Sequence, residues 1–488
     1  MKIQLYTPLD LRTLAAMAGG TLITHGVSET SDTALITRIC TDSREADGNT
    51  LFCAIRGERV DGHDYVEKAA SLGCRAVLCE RLPSLPEVIP VAAITVPDTV
   101  EALGRLANAR RANDLQGLAV TAVTGSVGKT TTKEMICAVL SAAKNTFKKD
   151  GNYNSTIGLP LSFLEIPSDT REAVLEMGMS ARGEIASMTE AVRPDIAIVA
   201  NVGSSHLEHL GTRENITRAK LEISQGLREG GVLLINGDEP LLRRLGQDFE
   251  GEIPEIPSGI RVLRLSLADA EGADFTARNI TASDGGMRFD LTTPAGEWRD
   301  LWIPAIGEHL VWAASFAAAV GQLRGLDEGQ VKAGLASYRP AAMRQNAKII
   351  SGITLIEDCY NAAPESMRAA LGVLHLTPAT RRIAVLGDMK ELGDHTEALH
   401  RGVGAEAVQQ GIDLLVAVGD LGRFIAEGAL SAGLPAEAIR FVAGPEDYPA
   451  AAERLAGELI VGDGVLFKAS RAMALEKLAA ALTEKLQG

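Results

Sequence analysis

The sequence predicts an α/β fold built from three domains. Its 488 residues exceed what a single hydrophobic core usually accommodates. Apolar runs of strand length alternate with helical patterns along most of the chain, which is typical of parallel sheets covered by helices. Around residue 125 a strand, a glycine-containing turn and a helix follow one another, which predicts a phosphate-binding loop in the middle domain.

Residues 1–98 are expected to form a small α/β domain at the N-terminus. Helices are predicted over 9–18 and 66–72, and each pattern ends at a glycine. Short apolar runs predict strands over 51–55 and 76–79, on either side of the second helix.

Residues 99–338 are expected to form a central, ATPase-like domain on a parallel sheet. Near-continuous apolar runs predict strands buried on both faces, over 117–123, 173–176, 196–201 and 232–236. Farther along, apolar and polar residues alternate between glycine-containing turns, which predicts an antiparallel insertion with strands over 262–267, 275–280, 287–292 and 298–303. A helix over 310–323 follows.

Residues 339–488 are expected to form a Rossmann-like, doubly wound C-terminal domain, because strands and helices alternate again. Its strands are predicted over 353–357, 382–386, 414–418 and 464–468, and a last helix over 472–486.

The composition excludes several classes of function. A net charge of −15 argues against general nucleic-acid binding, which needs a basic face. The six cysteines are scattered without a Cys-x-x-Cys pair, which favours free thiols in a reducing compartment. The N-terminus shows no signal-peptide pattern, and no apolar run reaches the roughly 18 residues of a membrane helix. We therefore expect a soluble, cytoplasmic, monomeric protein.

The predicted phosphate-binding loop runs from Gly125 to Thr130 through Ser126, Val127, Gly128 and Lys129. Backbone N–H groups and the helix dipole would face an anion, Lys129 can reach terminal phosphates, and the Thr130 hydroxyl can bind Mg²⁺. The first glycine of the full pattern is missing, because Val123 stands in its place. A chance Gly-Lys-Thr in a surface turn is the alternative interpretation.

Two further residues follow predicted strands of the same sheet. Glu176 ends one strand, and His206 comes shortly after the end of another. Ligands of open α/β sheets bind beyond the carboxyl ends of strands, so both residues can join Thr130 around Mg²⁺. Without that metal, Glu176 would be a solvated strand end and His206 a capping or packing histidine. Lys220 lies in a helical stretch, where a lysine is usually exposed.

The chain resembles the Mur ligases, which form amide bonds with ATP during peptidoglycan precursor synthesis. The resemblance spans all three domains and rests on the loop 124–130, the run 151–160, and Glu176, His206 and Lys220. The runs 358–367 and 387–393, with His400 beyond, resemble the branch of the family that adds D-Ala-D-Ala to UDP-MurNAc-tripeptide. This resemblance implies an acyl-phosphate intermediate and, at Lys220, a carbamylated side chain that binds Mg²⁺.

The resemblance also implies a role for each matching residue. Catalysis would involve Lys129, Glu176, His206 and Lys220, and Mg²⁺ would be bound by Thr130, Glu176, His206 and Lys220. ATP would contact the residues Thr124, Gly125, Ser126, Val127, Gly128, Lys129, Thr130, Thr131, His309, Arg344, Asp358, Tyr360 and Asn361. The two other substrates would contact Asp42, Ser43, Arg44, Gly57, His63, Asn152, Asn154, Ser155, Asp388, Lys468, Ser470 and Arg471.

Several positions depart from the family pattern. Leu310 and Ala313 stand where the family often has asparagines after His309, which predicts a modified nucleoside pocket. Ala363 replaces an asparagine, Ala469 replaces a glycine, and Arg344 follows a methionine rather than a glycine.

Two alternatives remain open at this point. The chain could be another Mur-type or folylpolyglutamate-type ligase that adds a single amino acid, which turnover with single amino acids would reveal. It could also be a degenerate relative that binds nucleotide without catalysis, in which case a catalysis-dead variant at His206 would keep its biological function.

Overall fold

The computed structural model describes residues 1–25, 35–57, 59–81, 91–245, 256–268 and 271–487. These residues form three sheets with helices around them, which confirms the predicted three-domain α/β class. None of the helices in these ranges combines the length and the apolar character needed to cross a membrane. Glu58, which follows the predicted substrate-binding residue Gly57, lies outside the described residues.

The N-terminal sheet has six strands in the order β1-β3-β4-β5-β6-β2. Its elements are β1 (Lys2–Leu9), α1 (Leu11–Ala18), β2 (Thr21–His25), β3 (Ile36–Cys40), β4 (Thr50–Cys53), α2 (Val66–Ser71), β5 (Ala76–Cys79) and β6 (Val91–Thr95). The four inner strands pair in parallel, and β1 and β2 are antiparallel edges. Both predicted helices and both predicted strands are present, whereas β1, β2, β3 and β6 were not predicted.

The central sheet has nine strands in the order β15-β14-β13-β12-β11-β10-β7-β9-β8. After α3 (Thr99–Asn113), its strands are β7 (Ala119–Thr124), β8 (Thr146–Phe147), β9 (Glu172–Glu176), β10 (Ile196–Val199), β11 (Val232–Asn236), β12 (Arg261–Ser266), β13 (Phe275–Ser283), β14 (Gly286–Thr293) and β15 (Gly296–Ile303). Its helices are α4 (Lys129–Ser141), α5 (Gly158–Leu164), α6 (Glu184–Val192), α7 (Leu207–Leu210), α8 (Arg213–Leu221), α9 (Pro240–Arg243), α10 (Glu308–Leu323) and α11 (Glu328–Ser337).

The prediction of a wholly antiparallel insertion was wrong in part. β12 pairs in parallel with β11, and β13 begins in parallel with β12. Only β13, β14 and β15 pair antiparallel, and they continue the central sheet. The reason is that alternation reports which face of a strand is buried, whereas pairing direction depends on the connection. The connection from β11 to β12 contains α9 and returns the chain to the same end of the sheet.

The C-terminal sheet has six strands in the order β16-β17-β21-β18-β19-β20. Its elements are β16 (Asn346–Ile350), β17 (Ile353–Glu357), α12 (Pro364–Leu376), β18 (Arg382–Gly387), α13 (Thr396–Gln409), β19 (Leu414–Val418), α14 (Gly422–Ser431), β20 (Ile439–Val442), α15 (Tyr448–Glu458), β21 (Gly464–Lys468) and α16 (Glu476–Gln487). All pairs are parallel except β16 with β17. The last helix starts at Glu476, later than predicted, because Ala474 adopts a left-handed φ of 48° that a helix cannot contain.

Close helix packing fixes the helix that follows the phosphate-binding loop. The apolar side of α4, including Met135, Ile136 and Leu140, is buried against α10 and α11. A Cβ atom on Gly334 of α11 would lie 2.4 Å from Cα of Val139 in α4, so only glycine permits this approach. The position of the N-terminus of α4 is therefore set by the core of the central domain.

Candidate active site

The phosphate-binding loop joins β7 to α4. Gly128 precedes the helix with a left-handed φ of 78°, which glycine adopts without strain. The loop is held by Asn201, which follows β10. Its Oδ1 accepts the backbone N–H groups of Ser126 (2.9 Å) and Val127 (3.0 Å), and its Nδ2 donates to the carbonyl of Val127 (2.8 Å). Sequence analysis assigned no role to Asn201, although its place at a strand end was a usable signal.

Lys129 folds back over the loop. Its Nζ donates to the carbonyl oxygen of Gly125 at 2.8 Å. Burial lowers the pKa of Lys129, and the Glu176 carboxylate partly opposes this shift. A phosphate bound at the N-terminus of α4 would give this cation a full counter-charge.

Glu176 accepts hydrogen bonds from two other residues predicted for the site. Its Oε2 accepts the hydroxyl of Thr130 at 2.7 Å, and its Oε1 accepts Nδ2 of Asn154 at 2.9 Å. Both partners are neutral donors, and the carboxylate forms no ion pair with the described residues. A hydroxyl and a carboxylate at this spacing are ligands that Mg²⁺ accepts.

Lys220 on α8 is buried, with 1% of its surface exposed, instead of lying on the surface as most helix lysines do. Burial lowers its pKa well below the usual range, and the nearby charge of Lys129 acts in the same direction. Nζ of Lys220 forms no hydrogen bond or ion pair with any part of the chain that the structure describes. Burial therefore favours the uncharged form of this amine.

His206 is held by the C-terminal domain. Its backbone is left-handed, with φ of 65°, and its Nδ1 lies 2.7 Å from Oε2 of Glu391. The hydrogen bond from His206 is the main reason why the pKa of Glu391 is lowered. The backbone N–H of Glu208 also donates to the carbonyl of Glu391 at 3.4 Å. Sequence analysis placed Glu391 in a family motif without giving it a role.

A cavity of about 770 Å³ lies between the central and C-terminal domains. Its walls contain most of the residues predicted for ATP and metal, together with several predicted for substrate. These are Ser126, Val127, Gly128, Lys129, Thr130, Thr131, Asn152, Asn154, Ser155, Glu176, His206, His309, Arg344, Asp358, Tyr360, Asn361 and Lys468.

The wall from the C-terminal domain contains two pairs of interacting side chains. Nζ of the buried Lys468 donates to Oδ2 of Asp358 at 2.6 Å. The guanidinium of Arg344 stacks over the ring of Tyr360, 4.3 Å from its centroid. Both pairs lie at the carboxyl end of the C-terminal sheet, which is where open α/β sheets bind ligands.

His309 begins the wall formed by α10. Its Nε2 lies 2.7 Å from the side-chain nitrogen of Gln345, and burial lowers the pKa of His309 to about 4. Leu310 and Ala313, which stand in the positions of the missing asparagines, also line the cavity. Trp312 lines it as well and packs against Phe316, with ring centroids 6.0 Å apart. This wall therefore offers apolar contacts, rather than amide hydrogen bonds, to a nucleoside.

Other predicted residues of the central and C-terminal domains lie outside the lining of the cavity. Thr124 and Gly125 form the buried base of the loop, and Lys220 lies behind it. Asp388 accepts the backbone N–H of Leu421 (3.0 Å) and Nζ of Lys390 (2.9 Å), so it ties strand ends together.

Ser470 and Arg471 also face protein groups. The hydroxyl of Ser470 accepts the backbone N–H of Lys390 at 3.0 Å. Arg471 forms an ion pair with Glu476 at 2.8 Å.

The residues predicted in the N-terminal domain lie outside the lining of this cavity, and their polar groups contact one another. Asp42 accepts both the backbone and the side chain of Arg44, and Ser43 between them is buried. His63 is buried, with Nδ1 at 2.6 Å from Asp61 and Nε2 accepting the backbone N–H of Glu80. The backbone N–H of Gly57 donates to the carbonyl of Val60 in a turn.

The fold and this site define a class of protein: three-domain α/β enzymes that bind a nucleotide between a phosphate-binding loop and a second, Rossmann-like domain. Family comparison agrees with the class. Residues 35–111 match the catalytic domain of the Mur ligase family, 123–321 the Mur ligase middle domain, and 343–471 the Mur ligase glutamate ligase domain. The chain belongs to the Mur ligase family, whose members form amide bonds with ATP.

Individual relatives agree with this membership. The chain is 39% identical to the UDP-N-acetylmuramoyl-tripeptide--D-alanyl-D-alanine ligase of Bacillus subtilis, over 97% of this chain and 98% of the relative. A crystal structure of MurF from Acinetobacter baumannii superposes with a TM-score of 0.84 at 32% identity, covering 99% of this chain and 100% of that one. The MurF ligase of Thermotoga maritima in complex with ADP gives a TM-score of 0.78 at 28% identity, covering 92% and 97%.

Proposed function

We propose that this protein ligates D-Ala-D-Ala to UDP-MurNAc-tripeptide and converts ATP to ADP and phosphate. The observation that carries the proposal is the shared cavity, in which Lys129, Thr130 and Glu176 of one domain face Asp358 and Lys468 of another. The names of the relatives at 39% and 32% identity support the choice of substrates. A complex of one such relative with ADP supports a nucleotide at the loop.

The chain would also bind Mg²⁺. Thr130, Glu176, His206 and Lys220 would hold it, and the ion would offset charge where two anions meet. The donor set fits a hard cation, because a hydroxyl and an unpaired carboxylate already lie 2.7 Å apart. Within the described residues, His, Cys, Asp and Glu form no group of three or more that could hold a metal. A carboxylate made from Lys220 would therefore complete the set.

Carbamylation of Lys220 suits the surroundings of this residue. The uncharged Nζ would attack the carbon of CO₂, a C–N bond would form, and one proton would leave to solvent. Burial without an ion pair favours the uncharged amine, which is the form that reacts. The product would carry a negative charge close to Lys129.

The chain's own groups would then support two chemical steps. A carboxylate oxygen of the tripeptide attacks the γ-phosphorus of ATP, and the bond to ADP breaks. Lys129 and the first amides of α4 stabilise the transferred charge. The amine of D-Ala-D-Ala attacks the resulting acyl phosphate, phosphate leaves, and the amine proton passes to solvent. The two-domain cavity keeps water from the acyl phosphate.

We propose the domain limits 1–98, 99–338 and 339–488, with the uridine nucleotide on the N-terminal domain. Asp42, Ser43, Arg44, Gly57 and His63 would form or support that part of the site. The finer roles of Asp388, Ser470 and Arg471 would be to shape the dipeptide side of the cleft. We also propose a cytoplasmic, monomeric protein, and the buried free cysteines fit a reducing compartment.

Phosphate release tests the proposal directly. Purified protein, ATP, Mg²⁺ and UDP-MurNAc-tripeptide are incubated with or without D-Ala-D-Ala, using lysine- and diaminopimelate-containing tripeptides in parallel. We expect release that depends on the dipeptide, with UDP-MurNAc-pentapeptide seen by mass spectrometry. Turnover with single amino acids instead would favour another ligase of the family, and nucleotide binding without turnover would favour a degenerate relative.

A carbon-13 NMR experiment tests Lys220 without relying on activity. With ¹³C-labelled bicarbonate, the wild-type protein should show a carbamate signal that is absent from Lys220→Ala. The same variant should lose turnover by about 100-fold or more, as when one group that stabilises a transition state is removed. Lys68→Ala, at an exposed lysine of α2, is the control and should keep both. An unchanged signal in Lys220→Ala would contradict the assignment.

A further inference from the structure

Glu365, on the first turn of α12, crosses from the C-terminal domain to the central domain. Its Oε1 accepts both the backbone N–H of Ser204 (3.0 Å) and the hydroxyl of Ser204 (2.9 Å). A Cβ atom on Gly203 would lie 2.8 Å from Cδ of Glu365, so a larger residue there would displace the carboxylate from this position. The backbone N–H of Gly203 in turn donates to the hydroxyl of Ser126 in the phosphate-binding loop. Glu365 thus lies next to the reaction centre although it belongs to the other domain.

The second oxygen of Glu365 has no partner. Oε2 is buried and forms no hydrogen bond within the described parts of the chain. No Lys, Arg or His among those residues forms an ion pair with Glu365. Burying a carboxylate oxygen without a donor costs free energy, because the oxygen loses its hydrogen bonds to water and no protein group replaces them. Because Glu365 is one of the residues that line the cavity, a ligand that donates a hydrogen bond or carries a positive charge is a partner still available to this oxygen.

Other carboxylates of the cavity are already satisfied. Asp358 pairs with Lys468 at 2.6 Å, and Glu239 pairs with Arg213 at 2.8 Å. Glu184 accepts the backbone N–H of Ser180 at 2.7 Å and stands at the favourable N-terminus of α6. Glu176 has two neutral donors and is assigned above to the metal. Glu365 is therefore the carboxylate left for another cation.

The reactants supply one such cation. ATP and the tripeptide carboxylate are anions, which a carboxylate repels. The amine that must attack the acyl phosphate is an ammonium group near neutral pH, since α-amino groups have a pKa of about 8. We propose that Oε2 of Glu365 binds the ammonium group of the incoming dipeptide and positions its nitrogen beside the phosphate-binding loop. The ammonium group then loses one proton to solvent, and the neutral amine attacks the acyl phosphate. This inference rests on the proposed function and adds the residue that recognises the amine.

The position of Glu365 also links binding of the dipeptide to the contact between the central and C-terminal domains. Oε1 holds the central domain through Ser204 while Oε2 would hold the dipeptide, so one carboxylate joins both domains and the nucleophile. Glutamine at this position keeps an oxygen for Ser204 but loses the charge that an ammonium group needs. Glu365→Gln therefore separates the two roles, and Ser204→Ala removes only a hydroxyl from the interdomain contact.

The test compares two ligands in four proteins, which are the wild type, Glu365→Gln, Glu365→Asp and Ser204→Ala. One ligand is D-Ala-D-Ala, and the other is the analogue in which a hydroxyl group replaces the amine, used as a competitive inhibitor. For Glu365→Gln we expect the KM for the dipeptide to rise about tenfold or more, as for a hydrogen bond to a charged group. The Ki of the hydroxyl analogue and the KM values for ATP and UDP-MurNAc-tripeptide should stay within about twofold.

Two further variants make the outcome specific. Glu365→Asp keeps the charge and should recover part of the preference for the amine over the hydroxyl analogue. Ser204→Ala should keep that preference in full, whatever its effect on turnover. Thermal unfolding of each variant verifies that it is folded.

Several results would overturn the inference. Equal weakening of both ligands in Glu365→Gln would mean a structural role alone. A higher requirement for ATP or Mg²⁺ with an unchanged dipeptide KM would mean that Oε2 serves the nucleotide or the metal. Absence of dipeptide-dependent phosphate release in the wild-type protein would overturn the proposed function itself, and this inference with it.

Discussion

At the scale of single residues, burial changes the pKa values of several side chains in this site. His309 lies between α10 and the C-terminal domain, and its imidazole faces Gln345 rather than water. Lys220 is buried and Lys129 is half-buried, and neither has a carboxylate ion-pair partner in the described residues. Their lowered pKa values follow mainly from the loss of water around the charged form.

His309 leads to a prediction about acid stability. Its pKa is about 4 in the folded protein and 6.5 in the unfolded chain. Between these values the unfolded chain binds a proton that the folded protein does not, so the free energy of unfolding rises with pH across this window. This residue raises the free energy of unfolding by about 3 kcal/mol in total between pH 4 and pH 6.5. The gain is fully present above pH 6.5 and is lost as the pH falls towards 4.

Denaturant unfolding of His309→Gln checks this prediction. Between pH 5 and 6.5 the wild-type protein should gain about 2 kcal/mol from this residue, and the variant should lack that gain. His375→Gln, at an exposed histidine of α12, should keep the wild-type slope. The same slope in His309→Gln would show that the imidazole is not held neutral.

At the scale of elements, the shape of the phosphate-binding loop depends on the neighbouring strand β10. β7 and α4 fix the ends of the loop, but its middle is shaped by Asn201 beyond β10. β10 pairs in parallel with β7, so the ends of both strands meet at one edge of the sheet. A residue distant in sequence therefore completes the loop.

Removing Asn201 should loosen the loop. In Asn201→Ala the amides of Ser126 and Val127 lose their acceptor, which should cost about 1–3 kcal/mol of stability and weaken nucleotide binding about tenfold. Thermal unfolding and titration with a fluorescent ATP analogue measure the two effects. Asn108→Ala removes an amide hydrogen bond far from the loop and should leave nucleotide affinity unchanged. Unaltered affinity in Asn201→Ala would contradict the role given to this residue.

At the scale of the whole molecule, the segment around Ser204 and His206 joins two domains. Glu365 and Glu391 reach it from different elements of the C-terminal domain. Interfaces between domains of one chain are usually weak enough to open, so these contacts select the arrangement that closes the cavity. Both contacts lie beside the cavity and hold His206 and Ser204 against the C-terminal domain.

Loss of Glu391 should favour a more open molecule. Glu391→Ala should increase the radius of gyration in small-angle X-ray scattering without ligand, because His206 loses its partner across the cleft. Turnover should fall about tenfold, which corresponds to about 1.4 kcal/mol of the barrier. Glu397→Ala, which removes an exposed ion pair within α13, is the control and should change neither quantity. An unchanged radius and turnover in Glu391→Ala would exclude a part in closure.

The sequence by itself determined the α/β class, most inner strands and the loop Gly125–Thr130, because periodicity and local motifs are properties of neighbouring residues. It also identified Glu176, His206 and Lys220 as a group, through a family resemblance. Only the tertiary structure decided the parallel pairing of β12, the burial of Lys220, and the contacts of Asn201, Glu365 and Glu391. These features depend on contacts between residues far apart in the chain, and local patterns carry no information about which distant donor meets which acceptor.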